Sequence, residues 1–137
     1  MLAPVQALGA DVARTEARAW LGIDASPAPA KDRSIAAAIE ALTRVPFGCP
    51  STLQACAAIT AALKSLDVST CGYSGLMLPV LEDPVLAQRA GEQCYTIRDL
   101  LLFSSVCGTG LDVVPIPGDT PQPTITDLLR EGQEILV

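Results

Sequence analysis

Histidine is absent from the 137 residues. No imidazole can therefore serve as a general base near neutral pH, prime a nucleophile or bind a metal. Aromatic side chains make up only 4% of the chain, too few for the stacking platform of a single-strand nucleic-acid binder. No run of basic residues occurs, and 9 lysines and arginines stand against 15 acids, a formal charge of −6 that repels phosphate backbones and anionic lipid heads. Neither nucleic acid nor a membrane is expected as a partner. No stretch of 18 apolar residues is present to span a bilayer. Residues Met1 to Ala10 lack a basic start and a long apolar core, and Asp11 follows, so no signal peptide is expected.

The five cysteines, Cys49, Cys56, Cys71, Cys94 and Cys107, are too few for a disulfide scaffold and odd in number. They imply free thiols in a reducing compartment, and the cytoplasm is the expected location. With no C-x-x-C pair and no histidine, a tetrahedral zinc site would need unusual spacings. No cofactor or metal is assigned.

Half of the chain is hydrophobic and 18% is charged, which forces collapse rather than disorder. The length fits one domain or one piece of a larger one. Helical patterning covers Pro4 to Trp20, with Gly22 behind it, and Ser34 to Leu42, where Ile35, Ala38, Ile39 and Leu42 repeat at i, i+3, i+4, i+7. Between them, the prolines of Asp24-Ala25-Ser26-Pro27-Ala28-Pro29 break any helix. Thr52 to Leu66 carries one charge, Lys64, so this helix is expected to be covered on most sides. Asp83-Pro84 opens a helix that Gly91 closes, Thr96-Ile97-Arg98-Asp99 opens another reaching Val106 or Cys107, and Thr124 with Asp127 opens the last. Val68 to Pro79 reads as a strand-and-loop unit and Val113 to Ile116 as a short apolar strand. Helices alternating with such strands predict βα units on a parallel sheet.

Two segments are more distinctive: Cys71-Gly72-Tyr73-Ser74-Gly75-Leu76-Met77-Leu78-Pro79-Val80-Leu81-Glu82-Asp83, and Val106-Cys107-Gly108-Thr109-Gly110-Leu111-Asp112-Val113-Val114-Pro115-Ile116-Pro117-Gly118-Asp119. Together they resemble the DUF711 family, also called UPF0210, and Gly22-Ile23-Asp24 through Pro29 and Phe47-Gly48 fit it in the same order. The resemblance covers about residues 22–120. It implies a fold similar to the pyruvate formate-lyase-like α/β barrel of glycyl radical enzymes, held here in part, since such family members run to several hundred residues. On that footing residues 1–137 are a single segment, a fragment or truncated paralogue of a larger α/β domain. The R-V-x-G-Y type segment that carries a radical glycine is missing, so the radical mechanism is not implied.

The candidate chemistry lies in the same two segments. Cys107, where a helix should break into Gly108-Thr109-Gly110, is either a loop-borne nucleophile or a small buried hydrophobe. Asp112 and Asp119 bracket the Val113 to Ile116 strand, and with Glu82 and Asp83 they could line one pocket for a cationic substrate group or a hard cation. Asp83 and Asp119 read first as cap and turn residues, which their proline and glycine neighbours favour, whereas Asp112, beside a glycine pair at a strand start, suits either role. Tyr73, Ser74 and Gly75, with Gly108, Thr109 and Gly110, are candidate ligand contacts. The glycines fit no nucleotide-binding spacing and suit turn geometry. The leading expectation is a small-molecule site, catalytic through Cys107 and Asp112, of unassigned reaction. The competing one is a non-catalytic assembly module or homo-oligomer, or a truncated chain without function.

Overall fold

The computed structural model describes residues 2–30 and 32–136. Six helices follow in order: α1 Ala3–Thr15, α2 Ile35–Thr43, α3 Pro50–Lys64, α4 Pro84–Gly91, α5 Ile97–Ser104 and α6 Gln122–Leu136. Local chemistry explains their starts. Ser34 caps α2 by accepting the Ala37 amide, Asp83 caps α4 by accepting the Val85 and Leu86 amides, and Thr96 with Asp99 forms a reciprocal capping box on α5. Pro50 and Pro84 occupy first-turn positions, where the missing N–H removes no helical bond. Helix α6 begins two residues before the expected Thr124, and α1 stops at Thr15 rather than Trp20, where Ala17 turns the chain at φ +50°.

The expected α/β architecture, a partial parallel β/α barrel of the pyruvate formate-lyase-like type, is not what forms. Among the described residues there is no sheet, only three isolated bridges: Ile23 with Thr70 and Leu76 with Gly108, both parallel, and Ala30 with Arg33, antiparallel. The strand-like segments fail to build ladders for identifiable reasons. Gly72 (φ +63°) and Ser74 (φ +42°) bend the Val68 to Pro79 stretch, and Pro79, Pro115 and Pro117 have no N–H to donate. Val113 to Ile116 forms no regular element and joins no bridge among the described residues. Apolar runs of four to eight residues satisfy strand patterning without guaranteeing a partner.

Helix α2 packs on α3 and α4, α3 on α5, and α5 on α6. Their shared core holds Ile35, Ala36, Ile39, Phe47, Cys56, Leu76, Leu78, Leu86, Leu100, Phe103 and Cys107. Few aromatics exist, yet Phe47 meets Tyr95 and Phe103 edge-to-face at 5.2 and 5.5 Å between ring centres, an arrangement worth about 0.5–1.5 kcal/mol per pair beyond area burial. Helix α3 is less covered than its sequence implied. It buries Thr52, Ala55, Cys56 and Thr60 but exposes Ala57, Ala58, Ala61 and Ala62, and alanine methyls have little surface to lose to water. Helix α1 buries no residue and packs on no other helix. It is held by the Ser69 amide donating to Gln6 Oε1 at 2.6 Å and by Gly9 lying against the Trp20 indole.

Asp83 is the joint between two helices. Its fully buried carboxylate caps its own α4 and also accepts from the Ser34 hydroxyl at 2.6 Å, from the Ile35 amide at 2.6 Å and from the Ala36 amide at 3.4 Å. One side chain thereby satisfies orphan N–H groups at two helix N-termini, where negative charge is favoured. Glu40 plays a related part: it accepts two bonds from Arg89, at 2.6 and 3.0 Å, and the Phe47 amide at 2.8 Å. These bonds, led by the Arg89 side chain, hold its carboxyl below the usual range.

Candidate functional site

The two motif-bearing segments meet. The Leu76 amide donates to the Cys107 carbonyl at 3.1 Å, and the Thr109 hydroxyl donates to the Leu76 carbonyl. Gly75 is required at this crossing, because a Cβ there would sit 2.5 Å from Thr109 Cγ2. The Tyr73 corner is fastened from elsewhere in the chain. Asp24 accepts the Ser26 amide and hydroxyl at 3.0 and 2.6 Å, the Ser74 amide at 3.1 Å and the Tyr73 amide at 3.4 Å. These bonds, Ser26's foremost, lower its carboxyl to about 2. Gly72 lies against this carboxylate, and a Cβ there would strike Oδ2. The Ser74 hydroxyl donates to the Cys71 carbonyl at 2.7 Å, and the Gly75 amide reaches Ser26 Oγ at 3.3 Å. Ser74 and Gly75 thus hold the backbone in place and do not line the cavity.

Beyond this clasp opens a cavity of about 330 Å³ lined by Asp24, Ser26, Pro27, Ala28, Pro29, Tyr73, Met77, Pro79, Glu82 and Asp112. Of the sequence-predicted residues, Tyr73, Glu82 and Asp112 come together here. Tyr73 is 71% exposed. Glu82 stands on the Pro79 to Asp83 turn, anchored by the buried Asp83, with the Glu82 and Asp83 amides both donating to the Pro79 carbonyl. Asp112 is half-buried and accepts the Val113 amide at 2.7 Å through Oδ1. Among the described residues three carboxylates and no basic side chain line the cavity, so its field favours a cation. Asp24 is already saturated with hydrogen bonds, which leaves Glu82 and Asp112 as the available anions. Among the described residues no group of three or more cysteines, aspartates or glutamates is arranged to hold a metal.

The remaining candidates lie elsewhere. Gly108 and Gly110 adopt positive φ, +83° and +88°, and serve the turn after α5. Asp119 is an exposed residue of the Pro117 to Thr120 turn and is absent from the cavity wall. Cys107 is fully buried in the core, its thiol donating to the Phe103 carbonyl at 3.2 Å. Interaction with the neighbouring Cys56 thiol, together with burial, pushes Cys107 well above the ordinary thiol range, the environment of an inert thiol. The wall formed by Asp24, Ser26, Pro27, Ala28 and Pro29 was not legible as a site. The available signal was the Asp-x-Ser spacing, which favours an Asx turn.

Fold and site together define a helical unit with an open acidic cleft clasped between distant loops. The family described as Uncharacterised ACR (DUF711) matches residues 2–135, and the chain belongs to it. It is 35% identical over 136 residues to a UPF0210 protein of Pyrobaculum arsenaticum, which covers 95% of this chain and 30% of that protein. It is 32% identical over 114 residues to a UPF0210 protein of Lacticaseibacillus paracasei, covering 80% and 26%, and 31% identical over 119 residues to one of Bifidobacterium longum, covering 84% and 26%. The chain therefore spans less than a third of the length of these relatives. No solved structure matches it.

Proposed function

We propose that this segment contributes a small-molecule-binding cleft to the family's function, and that the ligand carries a cationic nitrogen. The observation that supports the reading is the one cavity shared by Tyr73, Glu82 and Asp112, with two carboxylates, an exposed tyrosine and, among the described residues, no competing basic side chain. An ammonium group gains from both carboxylates and from the tyrosine quadrupole. Pro27 and Pro29 form a wall with little conformational entropy to lose on binding. Cys107 takes a packing role in this reading. The five free thiols favour a reducing compartment, and we place the protein in the cytoplasm. Screening amines, quaternary ammonium compounds and matched neutral analogues by thermal shift tests the reading. Amines are expected to raise Tm, with the gain lost in Asp112→Asn and Glu82→Gln. Equal shifts from neutral analogues, or gains that persist in both variants, would overturn it.

A second reading, self-association, is favoured by α1. Val5, Leu8 and Val12 lie at i, i+3, i+7 and are each more than half exposed. Light scattering that returns a concentration-independent monomer would remove it.

A further inference from the structure

A second pocket lies on the other side of the proline strap and is chemically the opposite of the cleft. It has a volume of about 210 Å³ and is lined by Pro27, Ala28, Ser34, Ile35, Ala38, Ile59, Leu76 and Arg33. Two of the lining residues, Pro27 and Ala28, also line the acidic cleft. Arg33 aside, the rest of its wall is aliphatic apart from Ser34, whose hydroxyl is engaged with Asp83 and the Ala37 amide.

Among the described residues, Arg33 is the only charged one on this wall. Its backbone is fixed by a reciprocal pair of bonds with Ala30, both 2.9 Å. Its guanidinium, like those of Arg18 and Arg44, forms no ion pair or side-chain hydrogen bond among the described residues, whereas Arg14, Arg89, Arg98 and Arg130 are each paired with an acid; of the three without a partner, Arg33 is the one that lines this pocket. The exposed Asp32 precedes Arg33 in the chain without pairing with it among the described residues, and Asp83 is sealed behind Ser34 with its oxygens satisfied by five donors.

We propose that this pocket binds a small aliphatic carboxylate. An exposed arginine among the lining residues of an apolar hollow suits a ligand with a hydrocarbon tail in the hollow and a carboxylate at its solvent end, since the planar fork of arginine matches a carboxylate. The tail gains by leaving water for Ile35, Ala38, Ile59 and Leu76. At roughly 30 Å³ per water-sized group, the volume takes about six to eight non-hydrogen atoms, a chain of about four to six carbons with its carboxylate. The site is independent of the cationic-ligand cleft: the two differ in charge, and each fails or stands on different variants.

Hexanoate titrated into the isotope-labelled protein, with amide signals followed by NMR, tests the proposal. Saturable shifts are expected at Ile35, Ala38 and Ile59. Arg33→Gln is expected to weaken the affinity at least tenfold, Arg33→Lys to weaken it less, and Asp112→Asn to leave it unchanged. Ala38→Leu, at an exposed helical position that the fold tolerates, is expected to block binding by filling the hollow. No saturable shift at these residues, equal binding of hexanol or hexylammonium, or unchanged affinity in Arg33→Gln would each overturn the assignment.

Discussion

Replacing Asp83 with alanine should separate two helices at once. The native carboxylate accepts from Val85 and Leu86 at 3.0 and 3.1 Å at the start of α4, and from Ser34, Ile35 and Ala36 at the start of α2. Loss of a helix cap costs about 0.5–2 kcal/mol; α4 loses its cap outright, and α2 keeps Ser34 but loses the acceptor of its Ile35 and Ala36 amides. The stranded donors add to this because Asp83 is fully buried, and a buried unsatisfied donor costs about 1–3 kcal/mol. Water entering the gap recovers part of that, so the total falls near 3–4 kcal/mol. For a chain of this length that corresponds to a Tm roughly 10–14 °C lower. Asp83→Asn, which keeps one carbonyl acceptor, should lose about half as much. Chemical denaturation monitored by circular dichroism gives both values. A loss below about 1 kcal/mol for the alanine variant would refute the two-helix role, as would an asparagine variant no better than alanine.

Three further outcomes follow from other parts of the molecule. Gly75→Ala should loosen the crossing with Thr109 and lower Tm, whereas Gly118→Ala, with nothing within 4 Å of its added carbon, should be neutral; paired melting curves check this. Asp24 is an acid whose folded pKa lies near 2, below its unfolded value of about 3.9. The stability it contributes is complete above about pH 4 and lost as pH falls through 2, so the Ser26, Tyr73 and Ser74 amide signals should titrate together near 2 and be flat in Asp24→Asn. Burial, with the nearby Asp83 charge, raises Tyr95 to about 12. In Tyr73→Phe protein the absorbance at 295 nm should therefore rise with a midpoint near 12, and a midpoint at 10 would contradict the buried placement. The contribution of Tyr95 to stability is complete below about pH 10 and lost between 10 and 12, since the unfolded chain ionises first.

Much of the helical framework was legible because it rests on local chemistry. Ser34, Asp83-Pro84 and Thr96 with Asp99 announce helix starts within a few residues. The error in fold class came from the apolar stretches between helices. Val113 to Ile116 and Leu76 to Val80 have strand-like composition, yet composition cannot say whether a second strand lies alongside. Here the core side chains of Leu76 and Leu78 are buried against helices instead of in a ladder. The second half of Asp83's role was hidden because its partners Ser34, Ile35 and Ala36 lie 47 to 49 positions away. The cleft was half legible. Tyr73 stood out as a polar residue in an apolar segment and Glu82 and Asp112 as carboxylates able to share a pocket, while the facing wall from Asp24 to Pro29 read as a helix breaker that fits the family, with no sign that it faces them.

The acidic cleft is tested most directly by titrating a small quaternary ammonium compound, tetramethylammonium, against the labelled protein and mapping where amide signals move. The account predicts saturable shifts confined to Ser26, Tyr73, Met77, Glu82 and Asp112, weakened at least fivefold in an Asp112→Asn, Glu82→Gln double variant. Shifts scattered over the acidic surface, or centred on a site without Tyr73, would contradict it.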